Sequence, residues 1–489
     1  MRMTARTSIL WVLIGCLGSY GDVHGRAPAP VQGGAPTAAE RAAARQAALP
    51  PGAVVLSGTL RQGAVGQTPY EAIKPTAWNG TLVIDLDFVS DTWGGPQRRW
   101  FLEQGYAIGG PNRQQDASAY AMREHVDNFL TIRTLFIEKF GTPKRTIAFG
   151  VSRAGFPALS AITMHPEIFV GAVAMSGGGH GVVGTLLSKL DAVWAIKTLI
   201  DPSTPLTLVN LPEPGDGRYG PDEAFNAIVT KARATPQGRA RLALAAAFDQ
   251  APTWSIRSSP QPAPTDLDAQ LSNIVASFAG QFPHRVRYLN EQMAGGNFSW
   301  NHGVDYRKQL ADSGLIDLVR HAYTAAGANL EADLATLAAA PRIAADPAAV
   351  AKAERNGGYT GTLTGPVLLI KTTGDSYDPP SAEMAFEDLT RRRGTQALVR
   401  TVYINRPGHA TQTVLEKITA FQTLINRLDS GSWAAAAEMP ERMNALALQI
   451  RSGLAQDFGS PAFVYHRPAT ALRLWDVANW GTYVPPVSR

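Results

Sequence analysis

Apolar positions along the chain fall into two rhythms. Short continuous runs of β-branched and aromatic residues recur at TLVIDLDFV (81–89), RTIAFG (145–150), GAVAMSG (171–177), PVLLIKTTGD (366–375) and VRTVYIN (399–405). Such runs are expected of strands buried on both faces, as in a parallel sheet. YAIGGPNR (106–113) is a shorter strand of the same kind. Upstream, Val54–Leu60 and Tyr70–Lys74 flank the turn-rich RQGAVGQTP and predict an antiparallel pair. The second rhythm is helical. Val126, Phe129, Leu130, Ile132, Leu135, Phe136 and Phe140 recur at the spacing of one helix face, and Gly141 follows as a stop. Strand and helix alternate along this half of the chain, which predicts a doubly covered, mostly parallel α/β sheet.

From about 182 to 362 the rhythm is helical throughout, rich in Ala and Leu, and broken by TPLTLVNLPEPGDGRYGPDE (204–223) and SSPQPAPTD (258–266). Strand character returns only at 366. A helical block between two strands of one sheet reads as an inserted cap. The expected organisation is core 53–181, cap 182–362, core 363–431 and a C-terminal extension 432–489 that packs back on the core. Trp475, Trp480 and Tyr483 lie in that extension. Cap aromatics such as Trp194, Trp254, Phe298, Trp300 and Tyr306 suit either a cleft lining or the cap's own core.

The chain has 489 residues, 45% hydrophobic and 17% charged, with a formal charge of +5. Its basic residues are scattered except at Arg391, Arg392 and Arg393, so no clustered nucleic-acid footprint is present. Residues 1–25 carry Arg2 and Arg6 ahead of the apolar SILWVLIGCLGSY, a signal-segment pattern too short for a comfortable membrane span. This predicts an exported protein, periplasmic or secreted. The single cysteine, Cys16, follows Leu13-Ile14-Gly15 like a lipobox, so a lipid anchor there stands beside simple cleavage near Val23-His24-Gly25. Residues 26–52 are rich in Ala, Pro and Gly, as in a flexible tether.

The strongest chemical signal is Gly150-Val151-Ser152-Arg153-Ala154-Gly155, set between the strand RTIAFG and the helix that follows. A nucleophile elbow needs small residues beside the serine because the chain turns sharply there, and Gly150 and Ala154 occupy the two crowded positions. An acid and a histidine are then expected, in that order, each after a later strand. Asp375 ends PVLLIKTTGD and His409 ends VRTVYINRPGH. Asp378 is three residues on and is the alternative acid. Its following Pro379 and Pro380 suit a turn, which favours Asp375.

These residues resemble the α/β-hydrolase superfamily over about Trp78–Arg427. WNGTLVIDLDF, SWNHGVDY and KTTGD are similar to a group of exported bacterial hydrolases with a large helical cap. The resemblance implies Ser152 as nucleophile, His409 as base and Asp375 as the residue that fixes its tautomer. It also implies an oxyanion hole from the backbone N–H of Arg153 and a second one near Phe88 or Val89. Many members carry a His-Gly pair there, where this chain has Asp87-Phe88-Val89-Ser90.

The resulting expectation is a cofactor-independent hydrolase of small or oligomeric carboxylic esters, with amide or peptide hydrolysis as the alternative. No metal spacing occurs among the histidines. His180, after GAVAMSG, suits a substrate-lining or structural role. Gly179–Gly184 matches G-x-G-x-x-G, but a nicotinamide site also needs a strand ending near Asp201, where LDAVWAIKTLI reads as helix. An NAD(P)-dependent oxidoreductase and a non-catalytic binding protein of this fold are the other classes kept open.

Overall fold

A computed structural model describes residues 49–62, 66–88, 95–111, 121–213, 223–278, 284–357, 359–454 and 458–474. The leader, Cys16, most of the tether, Val89, Ser90, Trp475, Trp480 and Tyr483 lie outside the described residues.

Among the described residues nine strands form one sheet: β1 (Val54–Gln62), β2 (Gly66–Lys74), β3 (Thr81–Ile84), β4 (Ala107–Pro111), β5 (Arg145–Val151), β6 (Phe169–Met175), β7 (Val367–Gly374), β8 (Val399–Pro407) and β9 (Phe463–Val464). Their spatial order is β1-β2-β4-β3-β5-β6-β7-β8-β9. The pairings from β4 to β8 are parallel, and the three outer pairings, β1–β2, β2–β4 and β8–β9, are antiparallel. That order, with helices on both faces, is the α/β-hydrolase sheet.

Alternate residues of each central strand feed opposite cores, as a pleat of period two requires. Leu82, Ile84, Ala148, Val367 and Leu369 join the core under α2 (Met122–Phe140) and α3 (Gly155–Met164). Val83, Ile147, Phe149, Leu368 and Ile370 join the other, under α1 (Gly95–Glu103), α14 (Val414–Ser430) and α15 (Met439–Ser452). This double burial explains why the strands read as continuous apolar runs.

Between β6 and β7 the described chain is helical: α4 (Gly181–Ile200), α5 (Glu223–Arg233), α6 (Pro236–Phe248), α7 (Leu267–Ser277), α8 (His284–Ala294), α9 (Tyr306–Asp312), α10 (Ile316–Ala325), α11 (Leu330–Ala339) and α12 (Pro347–Gly357). All but α8 and α12 of these helices bury a third core in which Trp194 stacks on Tyr306 with centroids 5.0 Å apart and Phe248 closes against the same tyrosine, while α8 and α12 pack on the core under α2 and α3. Trp194 and Tyr306 therefore belong to the block's own core. Phe298 is buried in the core under α2 and α3. α13 (Ala382–Arg392) crosses from β7 to β8.

Three features differ from the sequence reading. β3 stops at Ile84 although the apolar run continues to Val89, because the Asp85 carboxylate accepts the Asp87 backbone N–H at 2.9 Å and turns the chain. The helix α1 and the short strand β9 lack periodic signals long enough to announce them. The C-terminal segment pairs with β8 through β9 and then reaches the helical block. There Arg473 binds Asp191 at 2.6 Å, and Gln250 donates to the Thr470 carbonyl and accepts the Leu472 N–H. No described helix is long and apolar enough to cross a membrane.

Candidate active site

β5 ends at Val151 and the chain reverses through a single 3₁₀ turn, Ser152–Ala154, into α3. Ser152 takes φ = 59°, a left-handed conformation that costs an L-residue about 1–2 kcal/mol. The turn is tolerated because glycines stand at the positions where it presses on neighbouring backbone. A Cβ on Gly150 would lie 2.1 Å from the Ala154 carbonyl oxygen, and one on Gly155 would lie 2.5 Å from that of Gly177. Gly177, beyond β6, presses on the serine itself, since its Cβ would fall 2.2 Å from the Ser152 carbonyl oxygen. The crowding after the serine thus includes Gly155, whereas Ala154 keeps its methyl buried.

Two further strand ends bring the partners. His409 follows β8, and its Nε2 lies 2.6 Å from Ser152 Oγ. Asp375 follows β7, fully buried, with both carboxylate oxygens 2.9 Å from His409 Nδ1. A carboxylate at Nδ1 fixes the proton there and leaves Nε2 to accept from the serine hydroxyl. Asp375 Oδ1 also accepts the backbone N–H groups of Tyr377 and Asp378, each at 3.1 Å. Asp378, the alternative acid, turns away and accepts from Lys371 Nζ at 2.7 Å.

The imidazole loop is held from several sides. Thr372 Oγ1 donates to the Gly408 carbonyl at 2.8 Å, and the Gly408 N–H donates to the Gly374 carbonyl at 2.9 Å. Arg257 reaches in from the helical block, its Nη2 donating to the His409 carbonyl at 3.2 Å. The Tyr377 ring packs 5.1 Å from the imidazole. Behind the loop, the capping box Thr413/Glu416 starts α14, and the buried Glu416 carboxylate pairs with Arg406 of β8. Ser152 is half-buried and the His409 side chain keeps 25% of its exposure.

Of the expected oxyanion donors, Arg153 sits in the turn directly after the serine. Phe88 lies at the described end of the β3 turn, its ring buried beneath Arg98 and its carbonyl accepting from Arg98 Nη2 at 3.2 Å. Val89 lies outside the described residues.

His180 sits at the N-terminal cap of α4 and is buried; neither ring nitrogen has a hydrogen-bond partner among the described residues. Burial, only partly countered by the Asp378 charge, lowers its pKa to about 4. It is a neutral packed group beside the site. The glycine-rich run 179–184 opens α4, which continues to Ile200, so no strand leads to Asp201 and the dinucleotide reading has no βαβ unit to stand on.

Sequence reading missed Lys371 and Glu383. Lys371 interrupts the apolar strand VLLIKTTG, and a lysine in a strand buried on both faces needs buried anions. That was a legible signal. Among the described residues no group of three or more His, Cys, Asp or Glu side chains is disposed to hold a metal.

No family model matches the chain. It is 29% identical over 413 residues to o-phthalyl amidase of Xanthobacter agilis, a match covering 78% of this chain and 90% of the amidase. Among solved structures it resembles feruloyl esterase B from Aspergillus oryzae (11% identity, TM-score 0.37, 73% of each chain). It also resembles a putative dipeptidyl aminopeptidase IV from Bacteroides ovatus (10% identity, TM-score 0.35), matching 78% of this chain and 36% of the length of that one. The fold stands on the chain's own sheet order and serine turn, not on these overlaps.

Proposed function

We propose that this chain, an α/β-hydrolase by fold, is a serine hydrolase that cleaves a carboxylic acyl bond through an acyl-enzyme on Ser152. The observation that carries this reading is the continuous chain from Ser152 Oγ to His409 Nε2 at 2.6 Å and from His409 Nδ1 to Asp375 at 2.9 Å. In this reading Oγ attacks the carbonyl carbon while its proton passes to His409 Nε2. The tetrahedral oxyanion is met by backbone N–H groups, that of Arg153 first. Collapse expels the leaving group, which takes the proton from His409. Water, deprotonated by the same imidazole, then releases the acid and restores the serine.

An ester is the first substrate in this reading, because an alkoxide or phenolate departs with less protonation than an amine. The second reading is amide hydrolysis, favoured by the likeness to an o-phthalyl amidase across most of that enzyme's length. A panel of p-nitrophenyl acyl esters, aminoacyl nitroanilides and a phthalyl amide, run on wild type and Ser152→Ala, separates the two. The expected result is turnover of at least one class, lost by about a thousand-fold or more in kcat in Ser152→Ala. Wild type that neither turns over the panel nor labels at Ser152 with a fluorophosphonate refutes the hydrolase reading.

A further inference from the structure

Directly behind the acid lies a buried cation that the mechanism above does not use. Lys371 is fully buried in β7, and its Nζ lies 2.7 Å from Asp378 Oδ2, 3.4 Å from Glu383 Oε1 and 3.7 Å from Asp375 Oδ2. The last contact matters most, because the same Asp375 oxygen lies 2.9 Å from His409 Nδ1. One carboxylate oxygen is therefore shared between an ammonium and the imidazole. Removing an ammonium and three carboxyl groups from water carries a large desolvation penalty that an apolar side chain in this apolar strand would avoid. Costly buried charge next to a reactive cluster is characteristic of tuned sites.

We propose that Lys371 is a positioning residue for the triad: it anchors Asp375 by Oδ2 and offsets part of its negative charge, thereby setting how strongly His409 holds a proton. The inference rests on the serine-hydrolase reading for its meaning in catalysis, but not for its test.

The surroundings agree. Burial pushes the Lys371 ammonium down, yet Asp378, Asp375 and Glu383 hold its pKa above the usual lysine value. Burial pushes Asp378 up, and Lys371 and His180 overcome it, leaving the carboxyl below its ordinary value. Glu383 is the weak member: burial, with Asp378 nearby, pushes it up to about 7 despite Lys371. Other titratable groups around the cluster are His180 at the start of α4, Tyr403 of β8, and the buried pair Lys189–Asp249 at 3.2 Å from α4 and the end of α6. Asp378 is the nearest anion to Lys371 Nζ, and Asp375 Oδ2 is the one that also faces the imidazole.

The test is the titration of the His409 imidazole, followed by NMR on protein carrying ¹⁵N-histidine and assigned with His409→Gln. Lys371→Met removes the offset, and the His409 midpoint is expected to rise by about one pH unit. Asp378→Asn leaves Lys371 less compensated, so the midpoint is expected to fall by about half a unit. The double variant Lys371→Met/Asp378→Asn removes one charge of each sign and is expected to return the midpoint to within about 0.3 units of wild type. A purely structural lysine would give no such opposite signs and no such rescue. If Lys371→Met does not fold, the sign of the Asp378→Asn shift decides. Midpoints that stay put, or move in the same direction in both single variants, overturn the proposal. Fluorophosphonate labelling of wild type is read alongside: its absence sinks the hydrolase reading, while the titration still judges Lys371.

Discussion

The strain at Ser152 predicts an inverted order of stability between two variants that lack its hydroxyl. Ser152→Ala and Ser152→Gly both abolish the hydroxyl and its contact with His409, so that loss cancels between them. They differ in how they meet φ = 59°. Alanine retains the Cβ clash of the left-handed region, worth about 1–2 kcal/mol, and glycine does not. Glycine gives back about 0.5–1 kcal/mol through the greater freedom of its unfolded chain. The turn cannot relax to spare alanine, because the Ser152 carbonyl oxygen is wedged where a Cβ on Gly177 would lie, only 2.2 Å away. The net expectation is that Ser152→Gly exceeds Ser152→Ala in stability by about 0.5–1 kcal/mol. For a chain of 489 residues, an unfolding entropy of about 2.1 cal/mol/K per residue makes this shift worth about 0.5–1 °C in Tm. Paired scanning calorimetry of the two variants in one buffer resolves such a difference. If Ser152→Ala melts at or above Ser152→Gly, the serine is not held in a strained turn and this account of the elbow fails.

Two other perturbations follow from the same geometry. Gly177→Ala puts a methyl carbon 2.2 Å from the Ser152 carbonyl oxygen and so displaces the Ser152 backbone. Fluorophosphonate labelling should slow by about 100-fold while far-UV circular dichroism stays unchanged, and an unaltered labelling rate would contradict the packing described. His180 and Glu383 should tilt stability in opposite directions with pH. His180 titrates at about 4 in the folded chain against an ordinary 6.5, so the unfolded chain binds the extra proton between them and stability is lost as pH falls through that window, by about 3 kcal/mol. Glu383 titrates at about 7 against an ordinary 4.5, so the folded chain binds the extra proton and stability is gained as pH falls from 7 to 4.5. Urea unfolding at pH 7 and pH 5 should therefore find His180→Phe losing less stability on acidification than wild type and Glu383→Gln losing more. Parallel pH dependences in all three proteins would refute both assignments.

The parts of the fold legible in the sequence are those whose physical cause is local. Continuous apolar runs announced β5, β6, β7 and β8 because both faces of each strand are buried. The serine turn announced itself because only small residues fit beside a left-handed serine, and the acid and histidine because strand ends are where loops converge. What stayed hidden depends on partners distant in sequence. β9 is two residues long and exists only by pairing with β8. Gly177 looks like any loop glycine until β6 lies beside β5. The prolines after Asp378 already favoured Asp375 as the acid, but that Lys371 occupies Asp378 was hidden. Lys371 itself was visible as an anomaly, but its meaning required seeing which anions surround it.

Backbone strain gathers at the serine turn and its surroundings. Ser152, Ser176 and Ala410, three non-glycine residues with positive φ, stand just beyond the carboxyl ends of β5 and β6 and beside His409 after β8. The Ser176 hydroxyl accepts from Gln412 at 2.5 Å, tying the end of β6 to the loop that carries His409. Strained backbone survives only where its surroundings leave no alternative. Here the surroundings are glycines pressed against neighbouring carbonyls and a buried ammonium bound to three carboxyl groups. Both are costly for stability, and both act on the same few atoms, the serine backbone and the Asp375 carboxylate. The large apolar cores on either side of the sheet supply the stability that these devices consume. Loosening either device should therefore change reactivity before it changes the fold.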